Sequence, residues 1–183
     1  MIRRVTVYCA SSLGKQSGYR EAAHALGTLI GKRQLSLVYG GAHIGLMGVC
    51  ADAVLRAGGK VIGVIPEQLL RREVAHTSLS ELLVVKTMHE RKQKMVDLGD
   101  AFIALPGGFG TLDEVFEIAT WAQLAIHQKP IVLINVAGYY DHLLAFLDHA
   151  VNEGLLHASN RAHIKHVASV AELETLLLPA QGN

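Results

Sequence analysis

Cysteine is scarce in this chain: Cys9 and Cys50 are the only two in 183 residues. Two are too few for a disulfide framework, and neither sits in a metal-ligand spacing. Aromatic residues make up only 5%, which argues against stacking platforms for single-stranded nucleic acid. An excess of one charge is lacking as well. The formal net charge is +1 at pH 7, and apart from short pairs such as Arg71-Arg72 and Arg91-Lys92 the basic residues are dispersed. Neither a general nucleic-acid binder nor a membrane-surface binder is indicated. No apolar run approaches the roughly 18–20 residues that span a bilayer. Met1-Ile2-Arg3-Arg4 carries no signal-peptide pattern, so a reducing cytoplasm is the expected location. His24, His127, His142, His149 and His157 are scattered, with no His-x-Glu or His-Glu-x-x-His pattern. They read as surface or capping groups, and no metal site is expected.

What is present is a strongly apolar chain, 50% hydrophobic and 18% charged, long enough for one domain with a full core. No boundary interrupts residues 1–183. Continuous Val, Ile and Leu runs at 5–9, 35–39, 61–65, 82–86, 101–105, 131–135 and 163–167 read as strands. Runs of this kind are buried on both faces, the habit of parallel sheets. Between them, residues 19–32, 45–57, 88–98, 112–126, 140–151 and 170–178 show helical patterning. Gly58-Gly59 and Gly99 are stop signals. Alternation with helices predicts a Rossmann-like, doubly wound and mostly parallel α/β sheet. Residues 67–80 are irregular, either a loop over the site or a long connection.

Ligands of such sheets bind at the carboxyl ends of strands, and four ends here carry unusual residues. Ala10-Ser11-Ser12 follows the first strand, and residues 40–45, opening on Gly40-Gly41, follow the second. Met88-His89-Glu90-Arg91-Lys92 follows the fourth. Pro106-Gly107-Gly108-Phe109-Gly110-Thr111-Leu112-Asp113-Glu114 follows the fifth. The two glycine-rich turns are expected on adjacent strand ends, where their amides can meet one ligand. The last stretch is a strand, a glycine turn and a helix start in succession. A helix start offers unpaired N–H groups and a positive dipole end, and glycines let a bulky anion come close. Gly107, Gly108, Gly110 and Thr111 therefore form a candidate phosphate cradle, with Glu114 beside it. Neither the dinucleotide fingerprint after the first strand nor the Gly-Lys-Ser/Thr P-loop occurs.

Two readings of Glu114 stand together. Thr111-Leu112-Asp113-Glu114, like Thr87-Met88-His89-Glu90, fits a capping box, so Glu114 either starts a helix or serves a site. Glu90 reads as a cap, Asp113 as a dipole-compensating residue and Glu117 as an exposed one. Arg91 shares a helical row with Met88 and Met95. A charge on an apolar row needs a partner, whether a carboxylate, another subunit or a ligand. Lys92 reads as a solvated residue or a phosphate partner.

The residues 106–114 resemble the PGGxGTxxE signature of the LONELY GUY (LOG) family of cytokinin riboside 5'-monophosphate phosphoribohydrolases. Tyr8-Cys9-Ala10-Ser11-Ser12, Val38-Tyr39-Gly40-Gly41, Gly45-Leu46-Met47-Gly48, Met88-His89-Glu90-Arg91-Lys92 and Thr120-Trp121-Ala122-Gln123-Leu124 resemble further family segments. Ala10 and Ala42 depart from glycines frequent in the family. The resemblance implies a homodimer with no metal or redox cofactor. It implies hydrolysis of the N-glycosidic bond of a nucleoside 5'-monophosphate to free base and ribose 5-phosphate. It places catalysis on Arg91 and Glu114, and phosphate binding on Gly107, Gly108, Gly110 and Thr111; Met88 and Lys92 are further candidate substrate-binding residues. Arg91 is expected to orient Glu114 and keep it ionised. The alternatives are a general AMP nucleosidase, a non-catalytic nucleotide sensor, and a decarboxylase needing a lysine for pyridoxal phosphate, which nothing marks at Lys86, Lys92 or Lys94. Residues 112–126 are apolar nearly all round. Such a helix is buried on more than one side, against the sheet and against a second copy.

Overall fold

A computed structural model describes residues 2–70 and 75–177. The Arg71-Arg72 pair, the middle of the 67–80 segment and the predicted helix end at 178 fall outside the described residues. Seven strands form one sheet: β1 (Arg4–Tyr8), β2 (Ser36–Tyr39), β3 (Lys60–Pro66), β4 (Glu81–Val85), β5 (Ala101–Ala104), β6 (Ile131–Ile134) and β7 (Ile164–Val167). Their order is β4-β3-β2-β1-β5-β6-β7, and every pairing is parallel. The helices are α1 (Ser17–Lys32), α2 (Gly45–Arg56), α3 (Glu67–Leu70), α4 (Met88–Leu98), α5 (Phe109–Gln123), α6 (Asp141–Asn152), α7 (Ala158–Arg161) and α8 (Val170–Leu177). The short α3, α7 and a 3-10 turn at Val136–Gly138 are too brief to leave a periodic pattern.

Alternation along each strand splits the core in two. Val5 and Val7 of β1 face α1, α2 and α8, where Leu26, Ile30, Leu46, Val54 and Leu173 are buried. Tyr8 faces α4, α5 and α6, with Met95, Val115, Ile118 and Leu144. Helices therefore cover both faces, and the strand order reverses beside β1. The chain winds outward from β1 to β4, then α4 carries it back to β5 on β1's other flank. Loops leaving β1 and β5 thus diverge to opposite faces and open a crevice between them. From the sequence, the glycine-rich turns after β2 and β5 are expected on adjacent strands; they are not adjacent, because β1 stands between them.

The first face depends on a close helix crossing. Gly27 of α1 lies against α2 so tightly that a Cβ there would run into the carbonyl of Cys50. The end of α2 is closed as the Gly58-Gly59 pair predicts, with Gly59 N–H donating to Val54 O at 2.9 Å and Gly58 N–H to Leu55 O at 3.0 Å. Because backbone cannot yield as a side chain does, Gly27→Ala is expected to lower unfolding free energy by roughly 1–3 kcal/mol. A urea-denaturation midpoint equal to wild type would show that α1 and α2 can part without loss.

Candidate active site

The crevice at the ends of β1 and β5 holds a cleft of about 400 Å³. Its walls come from distant parts of the chain: Tyr8 and Ser11 at the end of β1, Gly40 after β2, Arg91 on α4 and Glu114 on α5. The loops are tied to one another. Ala10 N–H donates to Pro106 O at 3.1 Å, and Leu46 N–H to Ala10 O at 3.1 Å.

The start of α5 differs from the expected helix. It begins at Phe109 and not near 112, and Gly108 is its N-cap with no side-chain cap. The first amide in the helical ladder is that of Leu112, which donates to Gly108 O at 3.0 Å. The amides of Phe109, Gly110 and Thr111 precede the ladder and border the cleft. Thr111 lies inside the first turn, so the Thr111–Glu114 capping box does not form. Its buried side chain packs against Gly107, where a Cβ would displace it. Gly107 is not on the cleft wall; its carbonyl accepts from the Tyr139 hydroxyl at 2.7 Å. The neighbouring Tyr140 hydroxyl donates to Leu105 O at 2.7 Å. The two tyrosines hold the carbonyls of this loop, and the aromatic doublet after β6 was the sequence signal for them.

With the cap excluded, Glu114 turns inward. Its side chain is 11% exposed, as is that of Arg91, and Arg91 Nη1 stands 3.3 Å from Glu114 Oε1. Arg91 Nε donates to Val64 O at 3.0 Å, so two elements fix the guanidinium. Gly40 admits it: a Cβ at that position would occupy the place of Arg91 Nη2. Burial pushes the Glu114 carboxyl up to about 7, against the pull of Arg91. The expectation that Arg91 keeps Glu114 ionised is thus reversed in balance, because desolvation outweighs the guanidinium. The row through Arg91 also divides: Met95 is core, whereas Met88 is 47% exposed at the cleft.

Lys92 borders the cleft but is neither solvated nor unengaged. Its Nζ lies 3.2 Å from Asp113 Oδ2 and 3.1 Å from Glu117 Oε1. Burial would lower its pKa, but the hydrogen bonds to Glu117 and Asp113 prevail and raise it. Glu117 is accordingly paired and not exposed as read. Thr87 caps α4 by accepting from Glu90 N–H at 3.1 Å, and Glu90 reaches back to Lys86 N–H at 2.8 Å. Sequence reasoning missed His76. Its Nδ1 accepts from Ser78 N–H at 3.2 Å while Nε2 meets Asp52 at 2.9 Å. His76 N–H donates to Gly41 O at 2.8 Å, pinning one end of the irregular segment to the glycine turn after β2. At its other end Leu69 lines the cleft. Among the described residues no group of three His, Cys, Asp or Glu is placed to hold a metal.

The raised Glu114 value fixes a stability slope. The native state favours the protonated carboxyl, so this contribution is full below the ordinary value of 4.5 and is lost as pH rises through about 7. The unfolding free energy from urea titration should fall between pH 5 and pH 8 by on the order of 2–3 kcal/mol more in wild type than in Glu114→Gln. Equal differences in the two proteins would mean that Glu114 titrates as an exposed carboxylate.

Comparisons with known proteins agree with this geometry. A family model described as "Possible lysine decarboxylase" matches residues 47–177. A probable cytokinin riboside 5'-monophosphate phosphoribohydrolase of Oryza sativa subsp. japonica is 54% identical over 159 residues, 87% of this chain and 70% of that protein. A cytokinin riboside 5'-monophosphate phosphoribohydrolase of Arabidopsis thaliana is 49% identical over 171 residues, 93% of this chain and 80% of its own length. Solved structures share the fold. The molybdenum cofactor binding protein of Rippkaea orientalis superposes with TM-score 0.69 at 22% identity, covering 94% of this chain and 92% of that one. The Moco carrier protein of Chlamydomonas reinhardtii gives TM-score 0.69 at 20% identity, covering 96% and 95%. With half its residues shared with such relatives over nearly its whole length, the chain belongs to the LONELY GUY (LOG) family.

Proposed function

We propose that this protein hydrolyses the N-glycosidic bond of cytokinin riboside 5'-monophosphates, and of AMP, to free base and ribose 5-phosphate. The observation that carries this reading is the buried Arg91–Glu114 pair beside an uncapped helix start in one cleft. The 5'-phosphate takes the amides of Phe109, Gly110 and Thr111. Gly108 and Gly110 leave room for it, since a Cβ at either would meet nothing in the protein. The ribose then lies toward Glu114. Breaking the glycosidic bond builds positive charge on the sugar, which an ionised Glu114 stabilises or relieves by taking a proton from water. Arg91 holds that carboxylate in place. Lys92, already bound to two carboxylates, serves the substrate indirectly by locking α4 to α5. Met88 borders the space left for the base.

Lys92 also argues against the decarboxylase label. A Schiff-base lysine needs a lowered pKa, and this ammonium is raised. The whole chain acts as one domain, in the cytoplasm, as a homodimer. Phe116 on α5, with Leu124 and Ile126 just beyond it, is exposed, the side left for a second copy. Cys9 and Cys50 are both free thiols, as a reducing compartment favours.

Base release from AMP and from isopentenyladenosine 5'-monophosphate, followed by chromatography, tests the reading. Faster release of isopentenyladenine is expected. Preferred cleavage of AMP would make the enzyme a salvage nucleosidase, and binding without release a sensor. Glu114→Gln should lower turnover by about a thousandfold or more with binding retained, and Arg91→Ala should likewise abolish it. Turnover should climb with pH to a plateau about a midpoint near 7, since the acting form of Glu114 is the carboxylate. A flat profile from pH 5 to 8 would assign the chemistry to another group.

A further inference from the structure

One polar side chain at the bottom of the cleft has no part in the mechanism above. Tyr8 ends β1, is 2% exposed and borders the same cavity as Arg91 and Glu114. Its ring is held on every side. It packs with Met95, Val115 and Ile118 and stacks on Phe102, with centroids 6.2 Å apart and planes inclined by 12°. Its backbone is paired in register with Ala104, and its carbonyl accepts from Leu105 N–H at 3.0 Å. A ring so confined places its hydroxyl at a fixed point.

That hydroxyl has no hydrogen-bond partner among the described residues. Yet the one sealed and unpartnered side-chain polar atom among them is the hydroxyl of Tyr39. The Tyr8 hydroxyl is therefore open to the cavity that the residue lines. A buried phenol without a protein partner takes a water or a ligand. Burial holds its proton firmly, with Glu114 and Glu117 adding to that effect and Arg91 opposing it. It stays a neutral phenol throughout the working pH range, able to accept and to donate.

We propose that the Tyr8 hydroxyl, together with Glu114, holds the water that attacks the sugar. This rests on the glycosidic hydrolysis proposed above. The water donates one hydrogen to the Glu114 carboxylate and the other to the phenolic oxygen, which leaves a lone pair for C1'. As the new C1'–O bond forms, the C1'–N bond breaks and its electron pair leaves with the base. The water's proton passes to Glu114, and the base nitrogen takes a proton from solvent. Tyr8 neither gains nor loses a proton. Position favours water over a direct contact with the phosphate. Tyr8 is at the buried strand end, whereas the phosphate amides are at the rim beside Phe109, which is 94% exposed.

Tyr8→Phe removes only this oxygen and is the first test. Expected is a kcat lower by about tenfold or more, a KM within about twofold of wild type, and an unchanged thermal transition. Unchanged kcat and KM would overturn the proposal, as would a raised KM with kcat kept, which would make Tyr8 a substrate-binding group. Should the variant lose its fold, wild type in 10% methanol decides. A water held at two points predicts ribose 5-phosphate alone, and methyl riboside 5-phosphate in proportion to methanol would refute the holding. Wild type that releases no base would remove the functional reading itself. Wild type that releases base while Tyr8→Phe matches it would remove only the role given to Tyr8.

Discussion

The ion pair between Arg91 and Glu114 organises the cleft, because each member needs the other and neither can be solvated freely. Two side chains of opposite charge, each 11% exposed, are stable only when their remaining valences are met. Arg91 meets its own through the carbonyl of Val64 on β3 and through the space that Gly40 leaves. Glu114 is met less fully, and its carboxyl is accordingly pushed up to about 7. The strand ends, the helix α4 and the start of α5 are thus locked to one geometry by a pair that the fold largely desolvates. In the reaction proposed for this protein, that carboxylate is the group that meets the positive charge arriving on the sugar.

Around that pair the structure places supports that carry no chemistry themselves. Tyr139 and Tyr140 take the carbonyls of Gly107 and Leu105, which leaves the next amides turned to the cleft. Lys92, Asp113 and Glu117 fasten α4 to α5 one row out from the ion pair. His76 fastens residues 75–78 to α2 through Asp52 and to the glycine turn after β2 through its N–H to Gly41 O. Removal of any of these would move the site without touching it, in the way outer groups orient a catalytic set.

Much of this was legible in the sequence, for identifiable reasons. Continuous Val, Ile and Leu runs mark doubly covered strands, and all seven were placed within a residue or so of their ends. The helix α4 was placed at its observed bounds, because Thr87 caps it and Gly99 stops it. The start of α5 was misplaced by three residues, since Thr111 and Glu114 imitate a capping box while the glycines before them hide a helical turn. The Lys92 pairs were not legible either. They join residues 21 and 25 positions apart on two helices, and only the crossing of α4 over α5 brings them together. The order of strands was equally hidden, as it is a property of crossovers and not of any local run.

The glycines of the two glycine-rich turns fall into two kinds. Gly40 and Gly107 are crowded by the protein's own atoms, whereas Gly108 and Gly110 face open space. At the first two, a methyl group would displace the protein's own side chains, Arg91 at Gly40 and Thr111 at Gly107. At the second two it would disturb nothing in the protein, and under the proposed function it would close the cleft to the phosphate. On the proposed reading, residues 108 and 110 are therefore kept as glycine by the ligand and not by the fold, and a lineage that gave up the reaction would lose these two glycines before the others.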